Sequence, residues 1–318
     1  MRQIRTDLAM EAREFYCENN KSREPEGVQT RTEERDGVSI TRVQILNRQG
    51  EQALGKPAGR YVTLECGELA SGNPERAEQI SKVMARELSR LLPESCPCVL
   101  VAGLGNWNIT PDALGPKTVS KLFVTRHLKQ YFPDRQEMTE VCTISPGVLG
   151  ITGIETGEIV KGVSDCVQPD CVIAIDALAS RKMSRVNTTI QLSDTGISPG
   201  AGIGNHRFEL TEQTLGVPVI GIGVPTVVDA ATIAGDAIQL LMNAFQEQAE
   251  GNKEVVKLSS LLEDPYDALR EVLHRENLIV TPKDTDFTIT EASKVLASGL
   301  NLALQPGFTY QELQQLQN

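Results

Sequence analysis

The sequence lacks the long apolar segment that a membrane protein needs. None of its apolar runs approaches the roughly 18–20 residues of a membrane-spanning helix. Residues 1–15 carry charged side chains throughout, unlike the apolar centre of a secretory signal peptide. We therefore expect a cytoplasmic protein that has no membrane partner.

The chain also lacks an excess of positive charge. Lysine and arginine number 31 against 42 aspartate and glutamate residues, which gives a formal net charge of −11. No basic stripe offsets this charge locally, and a nucleic-acid-binding protein needs such a surface to hold phosphates. We expect no direct contact with nucleic acid.

The familiar patterns of nucleophilic and metal-binding sites are missing as well. The sequence has three histidines, His127, His206 and His274, and no Gly-x-Ser-x-Gly motif around a serine nucleophile. Its seven cysteines match no zinc-binding spacing, and none stands at a strand end with a histidine nearby. These absences argue against serine and cysteine proteases. We expect no metal and no cofactor, and we expect buried free thiols in a reducing compartment.

Two apolar periodicities alternate along the 318 residues. Alternating or continuously apolar runs predict strands, and apolar residues at i, i+3 and i+4 predict helices. The predicted strands are 38–46, 60–65, 98–102, 171–175 and 217–222, and the predicted helices are 74–92, 116–131, 155–167, 230–245 and 290–304. This order predicts an α/β protein with a mainly parallel, helix-covered sheet of the phosphorylase/hydrolase-like type and an N-terminal β-hairpin. The polar stretch 246–275 predicts a surface excursion.

Ligands of such sheets bind just beyond the carboxyl ends of the strands. Three loops have this position, 103–116, 176–181 and 221–226, and a glycine-rich stretch, 198–205, precedes the third. The first loop begins like a dinucleotide-binding motif. However, Asn108 stands where the third glycine belongs, and Asp112 would repel a pyrophosphate. We expect no nucleotide to bind there.

Two aspartates in these loops are the candidate catalytic residues. Asp176 follows a buried strand directly and, taken alone, favours a helix N-cap. Asp112 on the neighbouring loop changes this interpretation, because two facing carboxylates cannot both ionise cheaply and one then holds a proton. Such a pair can activate water and protonate a leaving amine.

Glycine-rich loops can bind a peptide through their backbone N–H groups, because glycine lets another chain approach closely. We predict substrate binding at Gly105, Asn106, Gly202, Gly204 and Asn205. A plain turn at 199–205 is the alternative.

Long motifs in the same loops give the sequence a family resemblance. The segments 103–116 (GLGNWNITPDALGP), 146–156, 172–181, 185–196, 199–205 and 223–230, with 5–11 and 281–283 outside the core, resemble the spore germination proteases of spore-forming bacteria. The resemblance implies an endopeptidase that degrades the small acid-soluble proteins on spore DNA during germination. It also implies a zymogen, a homotetramer, a location in the forespore and spore core, and two essential aspartates that fall on Asp112 and Asp176.

The fold implied by the resemblance is similar to that of the hydrogenase-maturation proteases. Those enzymes place a metal at the same two loops with two acidic residues and a histidine. This sequence offers no clear counterpart to that histidine, and His206 stands where the family resemblance leads us to expect lysine. A metal-dependent maturation protease and a non-catalytic binding protein for spore proteins remain as alternatives.

The chain start resembles a substrate of the same family. Residues 6–11 are similar to the Thr-Glu-apolar-Ala-x-Glu pattern that these proteases cut. We therefore predict self-cleavage between Asp7 and Leu8, with residues 1–7 as a propeptide and 8–318 as a single α/β protease domain. Because the segment is polar and terminal, we expect it to be poorly packed and accessible. A shared proton between the carboxylates predicts that mild acidity favours the cleavage.

Overall fold

A computed structural model of the protein describes residues 6–20, 23–128, 131, 138–198, 208–248 and 278–316. Its helices are α1 Ala9–Asn19, α2 Arg48–Leu54, α3 Pro74–Ser89, α4 Leu114–Val119, α5 Leu149–Thr152, α6 Thr156–Val167, α7 Glu212–Leu215, α8 Ala230–Gln248, α9 Thr285–Leu304 and α10 Tyr310–Leu316. Its strands are β1 Val28–Arg35, β2 Val38–Ile45, β3 Gly59–Glu65, β4 Cys98–Gly103, β5 Glu140–Ile144, β6 Cys171–Ser180, β7 Thr189–Ser193, β8 Val219–Asp229 and β9 Ile279–Val280. No helix within these ranges is long and apolar enough to span a membrane.

The described strands form one mixed sheet. Their order is β1-β2-β3-β7-β8-β6-β4-β5, and β9 pairs with the end of β8. The pairs β4–β5, β4–β6 and β6–β8 are parallel, whereas the remaining pairs are antiparallel. The predicted α/β architecture is confirmed, and its parallel part is the half of the sheet that carries the three loops.

Both faces of the sheet are covered because successive side chains of a strand point to opposite faces. One face packs in a large apolar cluster against α3, α4 and α9, with Ile173 and Ile175 of β6 at its centre. The opposite face carries two smaller clusters. One includes Val172 and Ala174 with residues of α6 and α7, and the other joins α1 and α2 to β2 and β3. A gap between these two smaller clusters leaves room for a site.

The N-terminal part of the sheet is larger than predicted. The hairpin of β2 and β3 is confirmed, and β1 adds a third strand through a turn at Asp36 and Gly37. Both turn residues have positive φ, 52° and 67°, which suits the Asp-Gly pair of a two-residue hairpin turn. This dipeptide is the signal that the hydrophobic pattern alone misses.

The predicted helix at 116–131 is wrong. Helix α4 ends at Val119, and a 3₁₀ turn follows at Arg126–Leu128. Between them the backbone bonds to distant partners: the Phe123 N–H donates to Asn301 Oδ1 at 2.9 Å, and the Thr125 N–H donates to the Val141 carbonyl at 3.0 Å. These tertiary hydrogen bonds replace the i to i−4 bonds that a longer helix would make.

Candidate active site

Asp176 lies inside strand β6, not after it. The strand continues to Ser180 because β8 runs beside it, with Asp176 opposite Gly223. The side chain is 7 % exposed, and its Oδ1 accepts a hydrogen bond from the Ala177 N–H at 2.9 Å. The helix N-cap interpretation is therefore wrong, and a carboxylate stands in the interior of a strand.

Asp112 reaches the same region through a loop that packs tightly on the strand ends. A Cβ on Gly115 would lie 2.3 Å from the Leu104 carbonyl oxygen and 2.6 Å from that of Ile175, so only glycine permits this approach. Gly105, with φ +110°, lies against the Asp112 backbone in the same way. The Asn106 N–H donates to Asp112 Oδ2 at 2.8 Å. Gly105 and Asn106 thus hold Asp112 in place.

The two aspartates line one cleft of about 440 Å³. Its other walls come from loop 104–112, from residues 148–156 and from strands β6 and β8, with Ile109, Val148 and Ile279 among the apolar lining residues. Two carboxylates in a cleft with apolar walls can act as an acid and base pair, as the sequence predicts for the carboxyl ends of these strands.

A row of residues crosses the sheet next to this cleft. Gly223 of β8 is paired with Asp176 on one side and with Gln191 of β7 on the other. Paired residues share a face, so the two polar side chains flank a strand position that has no side chain. Gly221 precedes Gly223 on the same face, and both line a second cavity of about 170 Å³. The glycines leave a shallow trough between the two smaller apolar clusters.

Residues 6–9, called the N-terminal segment below, lie in this trough. The Asp7 N–H donates to the Ala179 carbonyl at 2.9 Å, and Asp7 Oδ2 accepts from the Ala179 N–H at 2.8 Å. Leu8 is 0 % exposed, and Asp7 lines both cavities together with Asp176. The expectation of a poorly packed, accessible segment is therefore wrong. Contacts to residues more than 170 positions away hold the segment in place.

Gln191 binds the peptide on both sides of the predicted cleavage point. Its Nε2 donates to the Asp7 carbonyl oxygen at 2.9 Å, and its Oε1 accepts from the Ala9 N–H at 2.7 Å. The Asp7 carbonyl belongs to the Asp7–Leu8 peptide bond. The side-chain amide thus fixes that bond beside the row that contains Asp176.

A lysine lies near the acidic side chain of the same segment. Lys56 Nζ donates to the Thr6 carbonyl at 3.4 Å and lines the 170 Å³ cavity with Asp7. Burial lowers the pKa of Lys56, and the nearby carboxylates of Asp7 and Glu11 oppose this shift. An ammonium group in this position favours an acidic residue at position 7, before the predicted cleavage point.

Helix α1 is anchored by a nearly buried carboxylate. Glu11 is 1 % exposed and accepts hydrogen bonds from the Arg181 N–H at 2.5 Å and the Lys182 N–H at 3.0 Å. Its Oε1 also lies 3.3 Å from Arg185 Nη1, and its Oε2 accepts from the Thr6 hydroxyl. Fixed donors thus bind the acidic residue that is the fourth after the predicted cleavage point.

Glu14 adds a second carboxylate to the anchor. Arg185 Nη2 donates to it at 2.6 Å and Lys182 Nζ at 2.7 Å. Burial raises the pKa of Glu14, but the hydrogen bonds from Arg185 and Lys182 outweigh burial and bring the pKa to about 2. Helix α1 is therefore held by charges that persist across the physiological pH range.

Comparison with known proteins assigns the chain to a family. Residues 7–264 match the family described as germination protease. The chain belongs to the germination protease family. The curated germination protease of Caldanaerobacter subterraneus is 52 % identical over 322 residues and covers 98 % of each chain. Those of Clostridium acetobutylicum and Bacillus pumilus are 47 % and 41 % identical, and the alignments cover 100 % and 95 % of this chain and 100 % and 93 % of theirs.

A solved structure is similar to part of this chain. The [NiFe] hydrogenase maturation protease HycI from Thermococcus kodakarensis covers 44 % of this chain and 80 % of its own, at 16 % identity and a TM-score of 0.30. Among the residues that the structure describes, no group of three or more His, Cys, Asp or Glu side chains could hold a metal ion. Asp112 and Asp176 belong to no such group within the described part of the chain.

Several residues and segments that the sequence analysis names lie away from the cleft or outside the described residues. Gly202, Gly204, Asn205 and His206 lie outside those residues, as does the predicted excursion from position 249 to 275, whereas 246–248 end α8. His127 is exposed on its 3₁₀ turn. All seven cysteines are free as predicted, but only Cys66 and Cys171 are buried, and Cys166 is exposed.

Sequence reasoning did not find the polar residues that hold the N-terminal segment. Gln191 and Arg185 lie in segment 185–196, which carries the family resemblance but assigns neither residue a role, and Lys56 lies outside the resembling segments. The β7 sequence Thr-Ile-Gln-Leu-Ser alternates polar and apolar residues, although all five are buried and Gln191 is only 8 % exposed. Because alternation predicts a solvent-facing side chain at position 191, the local pattern does not identify this glutamine.

Proposed function

We propose that this member of the germination protease family is an endopeptidase that is made as a zymogen and cuts its own chain between Asp7 and Leu8. The observation that carries the proposal is the position of that peptide bond. It is held by Gln191 and Ala179 in the trough next to Asp176. A peptide bond that is held beside one of two acidic residues sharing a cleft has the arrangement of a substrate.

The proposed chemistry uses the two aspartates as base and acid. One carboxylate accepts a proton from a water molecule, whose oxygen attacks the carbonyl carbon of Asp7. The other, protonated, donates its proton to the Leu8 nitrogen when the C–N bond breaks. The products are a new carboxylate on Asp7 and a new amine on Leu8. Because two carboxylates in one cleft share a proton more readily at mildly acidic pH, acidity favours the reaction.

The proposed substrates share the chemistry of the N-terminal segment. Residues 6–11 offer an acidic residue before the cut, an apolar residue after it and a second acidic residue three positions further on. The family resemblance extends this pattern to the small acid-soluble proteins of the spore core. We propose that the enzyme degrades these proteins there during germination, as a homotetramer.

The test is self-cleavage by the purified full-length chain at about pH 6, where a proton shared between two carboxylates is available. Sequencing of the new N-terminus is expected to give Leu8 first. Asp112→Asn or Asp176→Asn should slow the reaction by at least about 10²-fold, the low end for the loss of acid–base catalysis.

The matched control is Asp165→Asn, which removes an exposed carboxylate on α6 that pairs with Lys161. It should cleave at the wild-type rate. A folded Asp176→Asn variant that processes itself and digests spore proteins at a near-normal rate would contradict the proposal.

A further inference from the structure

Gln191 occupies a rigid position at the centre of the sheet. Its Cα is paired with Thr63 of β3 on one side and with Gly223 of β8 on the other. The side chain is almost fully buried, and both ends of its amide are used, by the Asp7 carbonyl and by the Ala9 N–H. A strand in the middle of a sheet holds such a group with little freedom to move.

The orientation of the amide follows from its partners. An Ala9 N–H can only donate, so the atom 2.7 Å from it must be the oxygen Oε1. The nitrogen Nε2 then faces the Asp7 carbonyl oxygen, which can only accept. The two contacts together exclude the flipped amide.

We propose that Gln191 is a catalytic residue whose Nε2–H binds the oxyanion formed during cleavage of the Asp7–Leu8 bond. The inference rests on the proposed self-cleavage. When the water oxygen bonds to the Asp7 carbonyl carbon, the electron pair of the C=O double bond moves to the carbonyl oxygen. Gln191 Nε2 already lies 2.9 Å from that oxygen. The charge returns to re-form the carbonyl as the C–N bond breaks and the Leu8 nitrogen takes a proton.

The geometry is that of other oxyanion donors. Effective donors lie about 2.7–3.1 Å from the position that the oxyanion will occupy and are fixed before the reaction, so that no reorganisation is needed when charge develops. The 2.9 Å contact to the ground-state carbonyl oxygen puts Nε2 beside that position. Burial strengthens the effect, because few water molecules compete for the developing charge. The bond from the Ala9 N–H keeps the donor aimed at the carbonyl throughout.

The same contacts could serve only to anchor the segment, and the two roles differ in what they affect. An anchor affects whether residues 6–9 stay in the trough. An oxyanion donor affects the rate at which a docked bond is broken. Self-cleavage is a single turnover of an already bound peptide, so its rate constant and the docking of the segment can be measured separately.

The experiment compares Gln191→Leu and Gln191→Glu with wild type and with Thr63→Val. Thr63 is paired with Gln191 in the same row, and its buried hydroxyl has no hydrogen-bond partner among the described residues, so valine serves as a packing control. Self-cleavage rates are followed by mass spectrometry. Docking is followed by hydrogen exchange at the amides of Leu8 and Ala9, and folding by thermal unfolding.

Gln191→Leu is expected to cleave about 10²- to 10³-fold more slowly, as after loss of one oxyanion donor, with Thr63→Val unchanged. Gln191→Glu keeps the volume and the acceptor for the Ala9 N–H but loses the donor once the carboxyl group ionises, so the ionised variant should stay docked and cleave slowly. Burial raises the pKa of a carboxyl group at this position above the ordinary value of about 4.3, so its rate relative to wild type should recover already at mildly acidic pH, as the glutamate takes up a proton and can donate again.

Three results would overturn the inference. One is cleavage by Gln191→Glu that stays near the wild-type rate at every pH from about 5 to about 9, across which a buried glutamate must lose its proton, and this result counts even if Gln191→Leu fails to fold. Another is a loss of rate that follows the loss of amide protection in both variants, which would make Gln191 an anchor only. The third is a wild-type chain that leaves Asp7–Leu8 intact, which would remove the proposed self-cleavage together with this role. The first two leave the proposed function standing.

Discussion

At the scale of single residues, the feature that the structure explains best is the charge before the proposed cleavage point. The Asp7 carboxylate accepts the Ala179 N–H, and the Lys56 ammonium lies close enough to interact with it electrostatically. Lys56 is half-buried, so water screens this interaction less than at an open surface. The pair gives a physical reason for an acidic residue at this position of a substrate.

This pair predicts coupling between Lys56 and Asp7 in self-cleavage. Lys56→Met keeps much of the apolar stem and removes the charge, and should slow the wild-type chain about fivefold or more, which corresponds to about 1 kcal/mol. In a chain that carries Asp7→Asn the same substitution should matter much less. The measurement is the cleavage rate of the four chains in a double-mutant cycle. Equal effects of Lys56→Met on the Asp7 and Asn-substituted chains would show that the charges do not interact during the reaction.

At the scale of elements, helix α1 depends on ion pairs to stay beside the cleft. Glu11 and Glu14 both form ion pairs with Arg185, a buried residue in the connection between β6 and β7. Burial lowers the pKa of Arg185, but Glu14 and Glu11 outweigh it and raise that pKa. Removal of one carboxylate would leave the buried guanidinium with fewer compensating partners, which is costly.

The low pKa of Glu14 predicts how acid affects this anchor. Its folded value of about 2 lies below the ordinary value of about 4.3, so the carboxylate stabilises the fold fully above about pH 4.5. The contribution is lost as the pH falls from there towards 2. Glu14→Gln should lower the free energy of unfolding by about 1.5–3 kcal/mol at pH 7. Between pH 4.5 and 3 the free energy of unfolding of the variant should fall less than that of wild type. Urea unfolding at pH 7, 4.5 and 3 measures both effects.

Glu158→Gln provides the control for this prediction. Glu158 is an exposed carboxylate on α6, and its substitution should change stability by less than about 0.5 kcal/mol. If Glu14→Gln and wild type lose stability equally between pH 4.5 and 3, the ion pairs of Glu14 do not contribute in the way the geometry indicates.

At the scale of the whole molecule, the sheet brings together segments that are far apart in the chain. The trough is formed by β6, β7 and β8, and the N-terminal segment returns to it across more than 170 residues. Leu8 is fully buried there, so the Asp7–Leu8 bond of one copy is closed to the cleft of another. This packing favours cleavage within one chain.

Cleavage within one chain predicts a rate constant that does not depend on protein concentration, because a docked bond reacts in a unimolecular step. The rate constant should stay the same over about a 100-fold dilution. An Asp176→Asn chain with a distinguishing tag, mixed with wild type, should remain intact while the wild-type chain is processed. Time courses at several concentrations provide the measurement. A rate that rises in proportion to concentration, or prompt cleavage of the tagged chain, would show that one molecule processes another.

Much of this protein follows from its sequence because it depends on local patterns. Apolar periodicity determines the buried strands, and capped helices such as α3 follow from Asn73 and Pro74 at its start. The motifs around Asp112 and Asp176 indicate the family and the two candidate aspartates. A pattern within about ten residues suffices for each of these conclusions.

Other features exist only in the tertiary structure, because each depends on a partner distant in sequence. Strand β6 continues through Asp176 because β8 pairs with it, and the helix predicted at 116–131 ends early because Asn301 and Val141 bind its backbone. The N-terminal segment is polar and terminal, a pattern that predicts a poorly packed, accessible chain end. Gln191 and Ala179 instead supply the hydrogen bonds that dock it beside the candidate catalytic pair, and no local pattern in residues 1–20 encodes them.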